Sequence, residues 1–363
     1  MAGIYGNVLK VSIFGESHQS EMGITLDGLP VGHKINYSFI DKCLAKRRPK
    51  LETGTSRIES DDYRIISGVY QDKTTGAPLT IIIKNKDQRS ADYQRHQDFY
   101  RPSHADYSAE NKYLGFNDPR GGGHFSGRLT ALIVAAGAIA LDILEKEDIL
   151  IATHVTRSRQ YRGEEFSENQ TTLKQQVLKI IAGDFPVLTN SKLLEDEIAG
   201  TKKLQNSIGG VLETAIIGLK AGYGEPFFNS LESSLSHLIF SVPAVKGIQF
   251  GLGFDFVNYY GSEVNDEFAF SNDQVITSTN NNGGINGGIS NGQPILFKTI
   301  IKPTSSIGLP QKTINKVTEQ VEEVIIKGRH DPAIFHRAAI VIDAMSGLAL
   351  LDLILIRKGQ LWR

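Results

Sequence analysis

The chain has 363 residues, of which 40% are hydrophobic and 22% are charged, as is typical of a soluble globular protein with a large core. Its formal net charge of -1 excludes a global field that would attract nucleic acid or an anionic membrane, so any anion site must come from locally clustered cations. The single cysteine, Cys43, excludes an intrachain disulfide framework and is typical of the reducing cytoplasm.

Hydrophobic periodicity predicts strands and helices that are mixed along the whole chain. In chain order it predicts a strand at residues 8–14, a helix at 39–47, a strand at 79–84, a helix at 126–147, a strand at 150–155, helices at 173–182 and 193–206, strands at 211–219 and 295–301, and helices at 313–327 and 332–355. These elements lack the strict strand–helix alternation of a doubly wound sheet. No linker or fixed repeat divides them, so we expect a mixed α/β fold of the α+β kind, as one domain over residues 1–363.

The predicted helix at residues 126–147 has the clearest pattern. Its apolar side chains recur at three- and four-residue steps, which predicts one apolar face over several turns. The longest apolar run, residues 131–141, is far shorter than the roughly 20 residues that span a bilayer, so it predicts a buried helix. Ser126 follows three glycines and is expected to cap this helix through its hydroxyl group.

Four polar segments interrupt apolar surroundings, and each combines a cation or an imidazole with turn residues. They are Gly-Glu-Ser-His at residues 15–18, Arg-Pro-Ser-His-Ala-Asp-Tyr at 101–107, Arg-Gly-Gly-Gly-His-Phe-Ser-Gly-Arg at 120–128 and Gly-Arg-His-Asp-Pro at 328–332. Arginine offers a rigid fork for carboxylate and phosphate, and histidine exchanges protons near neutral pH. Such a set suits a substrate that carries carboxylates and loses phosphate.

Ordinary structural interpretations of the same residues remain open. Alone, His18 is typical of a turn, and Arg47 at the end of a helix is a usual partner of the helix dipole. Asp331 before Pro332 is typical of a helix start. Arg128 is different, because a cation near the positive end of a helix is unfavourable unless an anion binds there.

An Asn- and Gly-rich segment at residues 277–292 predicts either a surface loop or backbone that approaches a ligand closely. After the strand that follows it, Lys-Pro-Thr-Ser-Ser at residues 302–306 offers hydroxyl, amide and ammonium groups for a phosphate. Several familiar motifs are absent from the sequence. There is no dinucleotide fingerprint, P-loop, metal-binding histidine spacing or hydrolase nucleophile elbow, so we expect no metal.

Taken in this order, the polar segments resemble motifs of the chorismate synthase family, from Phe14 to about Leu351. Further matching motifs are Ala-Ala-Gly-Ala-Ile at residues 135–139, Gly-Gly-Ile at 283–285, Gly-Gly-Ile-Ser at 287–290 and Lys-Pro-Thr-Ser-Ser-Ile at 302–307. Each motif alone is weak, but this many in the correct order are specific.

The resemblance implies a β-α-β sandwich fold, a cytoplasmic homotetramer and a lyase of the shikimate pathway, which leads to the aromatic amino acids. The family's reaction is an anti-1,4-elimination that converts 5-enolpyruvylshikimate 3-phosphate to chorismate, with loss of phosphate and a ring proton. Reduced FMN is required although no net redox change occurs. We therefore expect reduced FMN as cofactor, an external flavin-reducing system, and neither nucleic acid nor a membrane as partner.

The resemblance also implies roles for individual residues. His18 resembles the acid for the departing phosphate, His104 the histidine that manages the proton of the reduced flavin, and Asp331 the carboxylate that helps to remove the ring proton. The implied substrate-binding residues are Arg47, Arg48, Arg57, Arg101, Arg128 and Arg329. The implied cofactor-binding residues are His124, Phe125, Ser126, Pro243, Ala244, Gly287, Lys302, Pro303, Thr304, Ser305, Ser306 and Arg329.

The chain departs from the family pattern at several positions. Gln19 stands where glycine is usual, and Asp343 stands where glutamate is usual. His124 and Phe125 replace the commoner Arg-Ser, so we expect His124 to compensate in part for a lost cation at the flavin phosphate. The second arginine near residue 53 is absent, with Arg57 or Lys50 as its replacement. These differences predict a divergent subgroup with the same activity.

Two rival functions remain open beside this one. An NAD(P)H-dependent flavin reductase or oxidoreductase is a different enzyme class, and the missing dinucleotide fingerprint disfavours it. A non-catalytic flavin-binding relative would have no need to keep His18, His104 and Asp331 together.

Overall fold

The computed structural model describes residues 3–49, 54, 60–85, 98–271, 274–326 and 330–361. Its strands are β1 (Ile4–Tyr5), β2 (Lys10–Gly15), β3 (Glu21–Asp27), β4 (Tyr63–Ser67), β5 (Val69–Tyr70), β6 (Lys73–Thr74), β7 (Leu79–Lys84), β8 (Leu150–Arg157), β9 (Gly210–Ile217), β10 (Val245–Phe250), β11 (Phe268–Ser271), β12 (Gln274–Thr277), β13 (Ile285–Asn286), β14 (Ile289–Ser290), β15 (Ile295–Ile301), β16 (Gln311–Ile314) and β17 (Val321–Val324). Its α-helices are α1 (Tyr37–Arg47), α2 (Asp106–Tyr113), α3 (Thr130–Glu145), α4 (Gln170–Ala182), α5 (Ser191–Lys203), α6 (Leu231–Phe240), α7 (Gly261–Val264) and α8 (Phe335–Gln360). Two short 3-10 turns, Arg120–Phe125 and Gly127–Leu129, come before α3.

Five strands form the first antiparallel sheet, in the order β1-β2-β3-β7-β4. Alternate residues of its central strands are buried, because side chains of a strand point in turn to opposite faces of the sheet. Ile24 of β3 pairs with Ile81 of β7, and Leu26 pairs with Leu79. All four are buried and give the sheet one apolar face.

Four strands form the second antiparallel sheet, in the order β10-β15-β9-β8. Both of its faces are covered over β8 and β9. On one face α8 packs against these strands. On the other, Ala152 and Ala215 form a small separate core with Leu173 and Val177 of α4.

Helices α3 and α8 form an apolar layer between the two sheets. Helix α3 contacts β3 and β7 of the first sheet, whereas α8 contacts β8 and β9 of the second. A helix that is apolar on all sides must be buried on all sides, and α3 is buried continuously over residues 130–142. This arrangement confirms the predicted mixed α/β fold and has the layer order of a β-α-β sandwich.

The two layer helices run parallel and touch through glycines. A Cβ atom added to Gly137 of α3 would lie 2.4 Å from Cβ of Ala344 in α8. One turn further on, a Cβ added to Gly347 would lie 3.0 Å from Cδ2 of Leu141. Because the contacts advance together along both helices, the N-terminal ends of α3 and α8 lie on the same side of the layer.

Two segments of the described chain are long and apolar enough to cross a membrane, Gly127–Glu145 and Phe335–Gln360. In each of them 89% of the most apolar window is buried inside the protein. This burial is typical of a core helix, as the sequence predicts for residues 131–141.

The structure confirms the other predicted strands and helices to within a few residues, but it contradicts two predictions. Residues 313–327 were expected to be helical, whereas Gln311–Ile314 and Val321–Val324 form a two-stranded hairpin. Cross-strand pairing of Ile314 with Val321 favours that hairpin. The helix expected from Pro332 begins only at Phe335, so Asp331 does not cap it.

Candidate active site

A cavity of about 810 Å³ opens where the N-terminal ends of α3 and α8 lie together. Its volume falls within the roughly 300–1,000 Å³ of typical small-molecule sites. Arg128 and Thr130 reach it from the start of α3, and Arg337, Ala338 and Val341 from the first turns of α8. The unsatisfied N–H groups and the dipoles of two helix ends favour an anion at this position.

Eleven charged side chains are among the residues that line the cavity. The cations are Arg47, Arg101, Arg120, Arg128, Arg337, Lys302 and Lys316, and the carboxylates are Asp106, Glu110, Asp118 and Asp331. Each of these carboxylates pairs with a lining cation, Arg101, Lys316, Arg120 and Arg337 respectively. The remaining cations give the cavity an excess of positive charge although the whole chain is nearly neutral.

Two arginines from separate elements, one buried and one largely buried, meet at one wall of the cavity. The side chain of Arg47, at the end of α1, is 12% exposed, and that of Arg128, before α3, is 6% exposed. Both pair with Asp61, whose side chain is fully buried. Burial opposes ionisation of Asp61, but the charges of Arg47 and Arg128 outweigh it and hold the pKa of its carboxyl group below its ordinary value.

Three consecutive glycines bring another part of the cavity lining against His18. Gly121, Gly122 and Gly123 have φ angles of 59°, 87° and 52°, which glycine adopts without strain. A Cβ atom on Gly121 would lie 2.1 Å from Cε1 of His18. The buried imidazole lies with Nδ1 3.0 Å from Oγ of Ser17. His18 therefore lies directly behind a glycine of the cavity wall.

Two residues that depart from the family pattern hold this glycine turn in place. Nδ1 of His124 lies 2.8 Å from the carbonyl oxygen of Gly15 at the end of β2. Nε2 of Gln19 donates to Oδ2 of Asp118 at 3.2 Å. His124 is exposed and does not line the cavity. Its contact links the turn to the first sheet.

His104 lies in a third part of the wall, beside Ser306. Nε2 of His104 is 2.8 Å from Oγ of Ser306. Burial, assisted by the charges of Arg101 and Lys302, lowers the pKa of His104 to about 4. The imidazole is therefore neutral at neutral pH and able to accept a proton.

The segment at residues 302–306 lies against a strained residue of another loop. Ala244 has a φ of 74°, a left-handed conformation that non-glycine residues rarely adopt, and its carbonyl oxygen accepts from the backbone N–H of Lys302 at 2.9 Å. Nζ of Lys302 donates to Oγ of Ser305 at 3.0 Å. Oγ1 of Thr304 is buried and has no hydrogen-bond partner among the described residues. A ligand that accepts hydrogen bonds would satisfy these groups.

Asp331 enters the cavity as the partner of Arg337. Oδ2 of Asp331 accepts from Nη2 of Arg337, while Oδ1 is buried without a partner in the described part of the chain. Burial and the nearby charge of Arg47 lower the pKa of Arg337 to about 10, which still leaves it charged at neutral pH. One oxygen of Asp331 is thus fixed by a cation and the other remains available.

Comparison with known proteins shows which family this chain belongs to. The family model for chorismate synthase matches residues 9–355. The chain belongs to the chorismate synthase family. A chorismate synthase of Lachnoclostridium phytofermentans is 43% identical over 353 residues, which cover 97% of this chain and 94% of that relative. One of Pyrococcus abyssi is 38% identical over 356 residues, which cover 97% of this chain and 98% of that relative.

A solved structure agrees with the family. A crystal structure of chorismate synthase matches with a TM-score of 0.77 and 25% sequence identity, over 98% of this chain and 94% of that chain. The predicted family, mixed α/β fold and enzyme class, a lyase that makes chorismate, are therefore confirmed. The comparisons do not favour the flavin-reductase alternative.

The structure brings together most of the site residues implied by the chorismate synthase resemblance. Those that line the cavity are Arg47, Arg101, His104, Phe125, Ser126, Arg128, Pro243, Ala244, Lys302, Pro303, Thr304, Ser305 and Asp331. Those described elsewhere are His18, Arg48, His124, Gly287 and Ser306. His18 lies against Gly121 and Ser306 lies against His104 of the lining, whereas Arg48 contacts Asp61, which does not line the cavity. Arg57 and Arg329 lie outside the described residues, as does Lys50.

Sequence reasoning missed Asp61 and Arg337. Asp61 lies in a stretch with no catalytic motif, and it contacts Arg128, 67 positions away. Arg337 lies in the helix predicted from residue 332, whose pattern is defined by its apolar residues. A signal was present for Arg337, because an arginine in the first turn of an otherwise apolar helix is unfavourable without a nearby anion.

Proposed function

We propose that this protein catalyses the anti-1,4-elimination of phosphate from 5-enolpyruvylshikimate 3-phosphate, with reduced FMN as cofactor. In this reaction a ring C–H bond and the C–O bond to phosphate break. The electron pair of the C–H bond forms one new double bond, the existing ring double bond shifts by one position, phosphate leaves with the C–O electron pair, and the ring proton goes to a base. The single observation that supports it best is the cavity, in which seven cations and two proton-exchanging groups, His104 and Asp331, border one space of about 810 Å³.

Arg47, Arg101 and Arg128 are proposed to bind the phosphate and carboxylates of the substrate. Arg47 and Arg128 border the cavity from one wall, and their guanidinium groups suit planar oxyanions. Arg101 is fixed by Asp106, whose Oδ1 lies 2.7 Å from Nη2 of the arginine. Arg48, Arg57 and Arg329 are proposed to assist, of which only Arg48 is described, beside Asp61.

The flavin is proposed to bind where residues 302–306 meet Ala244. The buried hydroxyl of Thr304 and the ammonium group of Lys302 fit an anionic, hydrogen-bond-accepting group. Ser126, Phe125 and Pro243 line the same space. His124, Gly287 and Ser306 do not line it and belong to the proposed set only through the family resemblance. Reduced FMN, when bound, supplies the electron-rich ring that the family's reaction requires without a net redox change.

Three residues are proposed to manage protons. His18 packs against Gly121 of the wall, and the family resemblance assigns it the protonation of the departing phosphate. Asp331 helps to accept the ring proton through the oxygen that Arg337 leaves available. His104, which is neutral near pH 7 because burial lowers its pKa, is proposed to accept a proton given up by the bound flavin.

The proposal also includes a single domain over residues 1–363, a cytoplasmic homotetramer and an external reductant for the flavin. Highly exposed aromatic side chains support self-association, because aromatic residues are enriched at protein–protein interfaces. Examples are Phe227, Phe228, Phe254 and Tyr260, each at least 79% exposed.

An anaerobic assay tests this function. Purified protein is mixed with 5-enolpyruvylshikimate 3-phosphate and dithionite-reduced FMN, and chorismate is followed by its ultraviolet absorbance while phosphate is measured in parallel. We expect equal amounts of chorismate and phosphate with reduced FMN, and neither product with oxidised FMN. A parallel reaction with NADPH and oxidised FMN measures flavin reduction. Flavin reduction without any chorismate in either reaction would support the reductase alternative instead.

A further inference from the structure

Asp61 lies between two arginines of the cavity wall without bordering the cavity itself. Nη2 of Arg47 donates to Oδ2 of Asp61 at 2.9 Å, and Nη1 of Arg128 contacts Oδ1. Nε of Arg48 lies 3.8 Å from Oδ2. The side chain of Asp61 is 0% exposed, and it is not among the residues that line the cavity. The carboxylate is therefore behind the arginines, on the side away from a ligand.

Each oxygen of this carboxylate fixes a different guanidinium group. Arg47 is held at a second point, because its Nη1 donates to Oγ1 of Thr130 at 3.3 Å. Its Nε is buried and has no hydrogen-bond partner within the described ranges. A guanidinium has five N–H donors, so tethering from behind leaves donors for a ligand in front.

The negative charge of Asp61 also keeps the positively charged arginines of the wall close together. Arg47, Arg128 and Arg337 all border the same space, and the charge of Arg47 contributes to lowering the pKa of Arg337. Long cationic side chains that repel one another would adopt separate rotamers unless an anion lay between them. Asp61 is the described carboxylate that contacts both Arg47 and Arg128.

We propose that Asp61 is a positioning residue, which holds Arg47 and Arg128 in the arrangement that receives one oxyanion of the substrate. This inference rests on the function proposed above and adds a residue to which the family resemblance assigns no role. Preorganised donors bind an anion with less ordering of side chains at the moment of binding. The site then contains a carboxylate whose negative charge increases the affinity for a negatively charged substrate.

Electrostatics alone predicts that removing the charge of Asp61 strengthens substrate binding, whereas positioning predicts that it weakens binding. This difference makes the proposal testable. A negative charge close to an anion site weakens anion binding, so removing it should strengthen binding if the arginines stay in place. If Asp61 positions them, removing the charge should weaken binding instead. Asn is the suitable replacement, because Asp61 has a φ of 52° and asparagine tolerates this left-handed conformation.

The experiment compares the full-length parent, Asp61→Asn and the control Asp62→Asn, which removes the same charge from an exposed neighbour. Isothermal titration measures the affinity for 5-enolpyruvylshikimate 3-phosphate and, separately, for oxidised FMN. We expect Asp61→Asn to lower substrate affinity at least about tenfold, with FMN affinity unchanged, and Asp62→Asn to leave both unchanged. In steady-state assays the KM for the substrate should rise while the KM for reduced FMN stays constant.

Parental or tighter substrate binding by a folded Asp61→Asn variant overturns the proposal. If that variant does not fold, Asp61→Glu tests the proposal instead, because it keeps the charge but moves the carboxylate. Weakened substrate binding by Asp61→Glu supports positioning, and parental binding contradicts it. The proposed function fails separately, because in that case the parent itself binds no 5-enolpyruvylshikimate 3-phosphate and makes no chorismate.

Discussion

The pKa values of two buried aspartates in this protein are shifted in opposite directions. Asp61 lies in the cavity wall, where Arg47 and Arg128 overcome the cost of burial and hold the pKa of its carboxyl group below the ordinary value. Asp343 lies in the apolar layer, on α8, where burial raises its pKa to about 7. Lys46 and a hydrogen bond from Thr153 offset that burial only in part. Burial opposes both charges, and the neighbours decide which aspartate is ionised.

The same contrast distinguishes the cavity wall from the apolar layer formed by α3 and α8. The cavity wall is made of ion pairs that fix charged groups beside a space, whereas the layer is made of apolar side chains and glycine contacts. Substitutions in the wall should therefore change binding and turnover with small effects on stability. Substitutions in the layer should change stability first.

The largest expected effect concerns the wall residue Asp331. Asparagine keeps an oxygen that can accept from Arg337 but cannot accept the ring proton. We expect Asp331→Asn to keep substrate and flavin binding, while turnover falls by at least roughly 10²-fold. Anaerobic turnover at saturating reduced FMN measures it. Glu147→Gln, which neutralises a surface carboxylate paired with Lys358 at 2.9 Å, is the control. Parental turnover by Asp331→Asn would make the carboxylate a structural partner of Arg337 only.

The second effect concerns the wall residue Arg128. Losing a buried arginine–anion contact typically costs about 2–5 kcal/mol, so Arg128→Ala should weaken substrate binding strongly. The fold should persist, because Asp61 keeps its bond to Arg47. Titration with 5-enolpyruvylshikimate 3-phosphate measures the change, and Arg64→Ala, at an exposed arginine of the first sheet, serves as control. Unchanged affinity would remove Arg128 from the site.

Sequence reasoning predicts the layer better than the wall, for physical reasons. Helix α3 was predictable because its apolar residues repeat locally. Arg47 and Arg128 were predictable from motifs, but their common partner Asp61 was not, since contacts across 14 and 67 positions leave no local pattern. The hairpin of β16 and β17 was missed because cross-strand pairing, which its periodicity does not encode, overrode a weak helical pattern. The roles of the predicted site residues remain predictions until the variants are assayed.

The third effect is the pH dependence of stability that the layer residue Asp343 causes. Its pKa is about 7 in the folded protein against an ordinary value of 3.8, so the folded state keeps a proton that the unfolded chain has lost. The resulting stabilisation is complete below about pH 4 and is lost as pH rises towards 7, by up to about 1.4 kcal/mol per pH unit. Asp343→Asn should remove this slope. Chemical denaturation of parent and variant at several pH values between 4 and 8 measures it, and parallel profiles would contradict the raised pKa.

The smallest effect concerns the contact between the layer helices. A methyl group on Gly137 would lie 2.4 Å from Cβ and 2.6 Å from Cα of Ala344, so the two helices must move apart. Overpacking typically costs about 1–3 kcal/mol, which outweighs the gain of up to about 1 kcal/mol in helix propensity. We therefore expect Gly137→Ala to lower the free energy of unfolding.

Gly200 provides the matched control for this change. It lies in α5, and a Cβ atom there would meet nothing within 4 Å. Gly200→Ala should therefore stabilise the protein by about 0.4–1 kcal/mol, because alanine restricts the unfolded chain without a clash. Urea denaturation of both variants measures the difference. If Gly137→Ala were as stabilising as Gly200→Ala, the close packing of α3 against α8 would not limit stability, and the layer would be as tolerant of substitution as the protein surface.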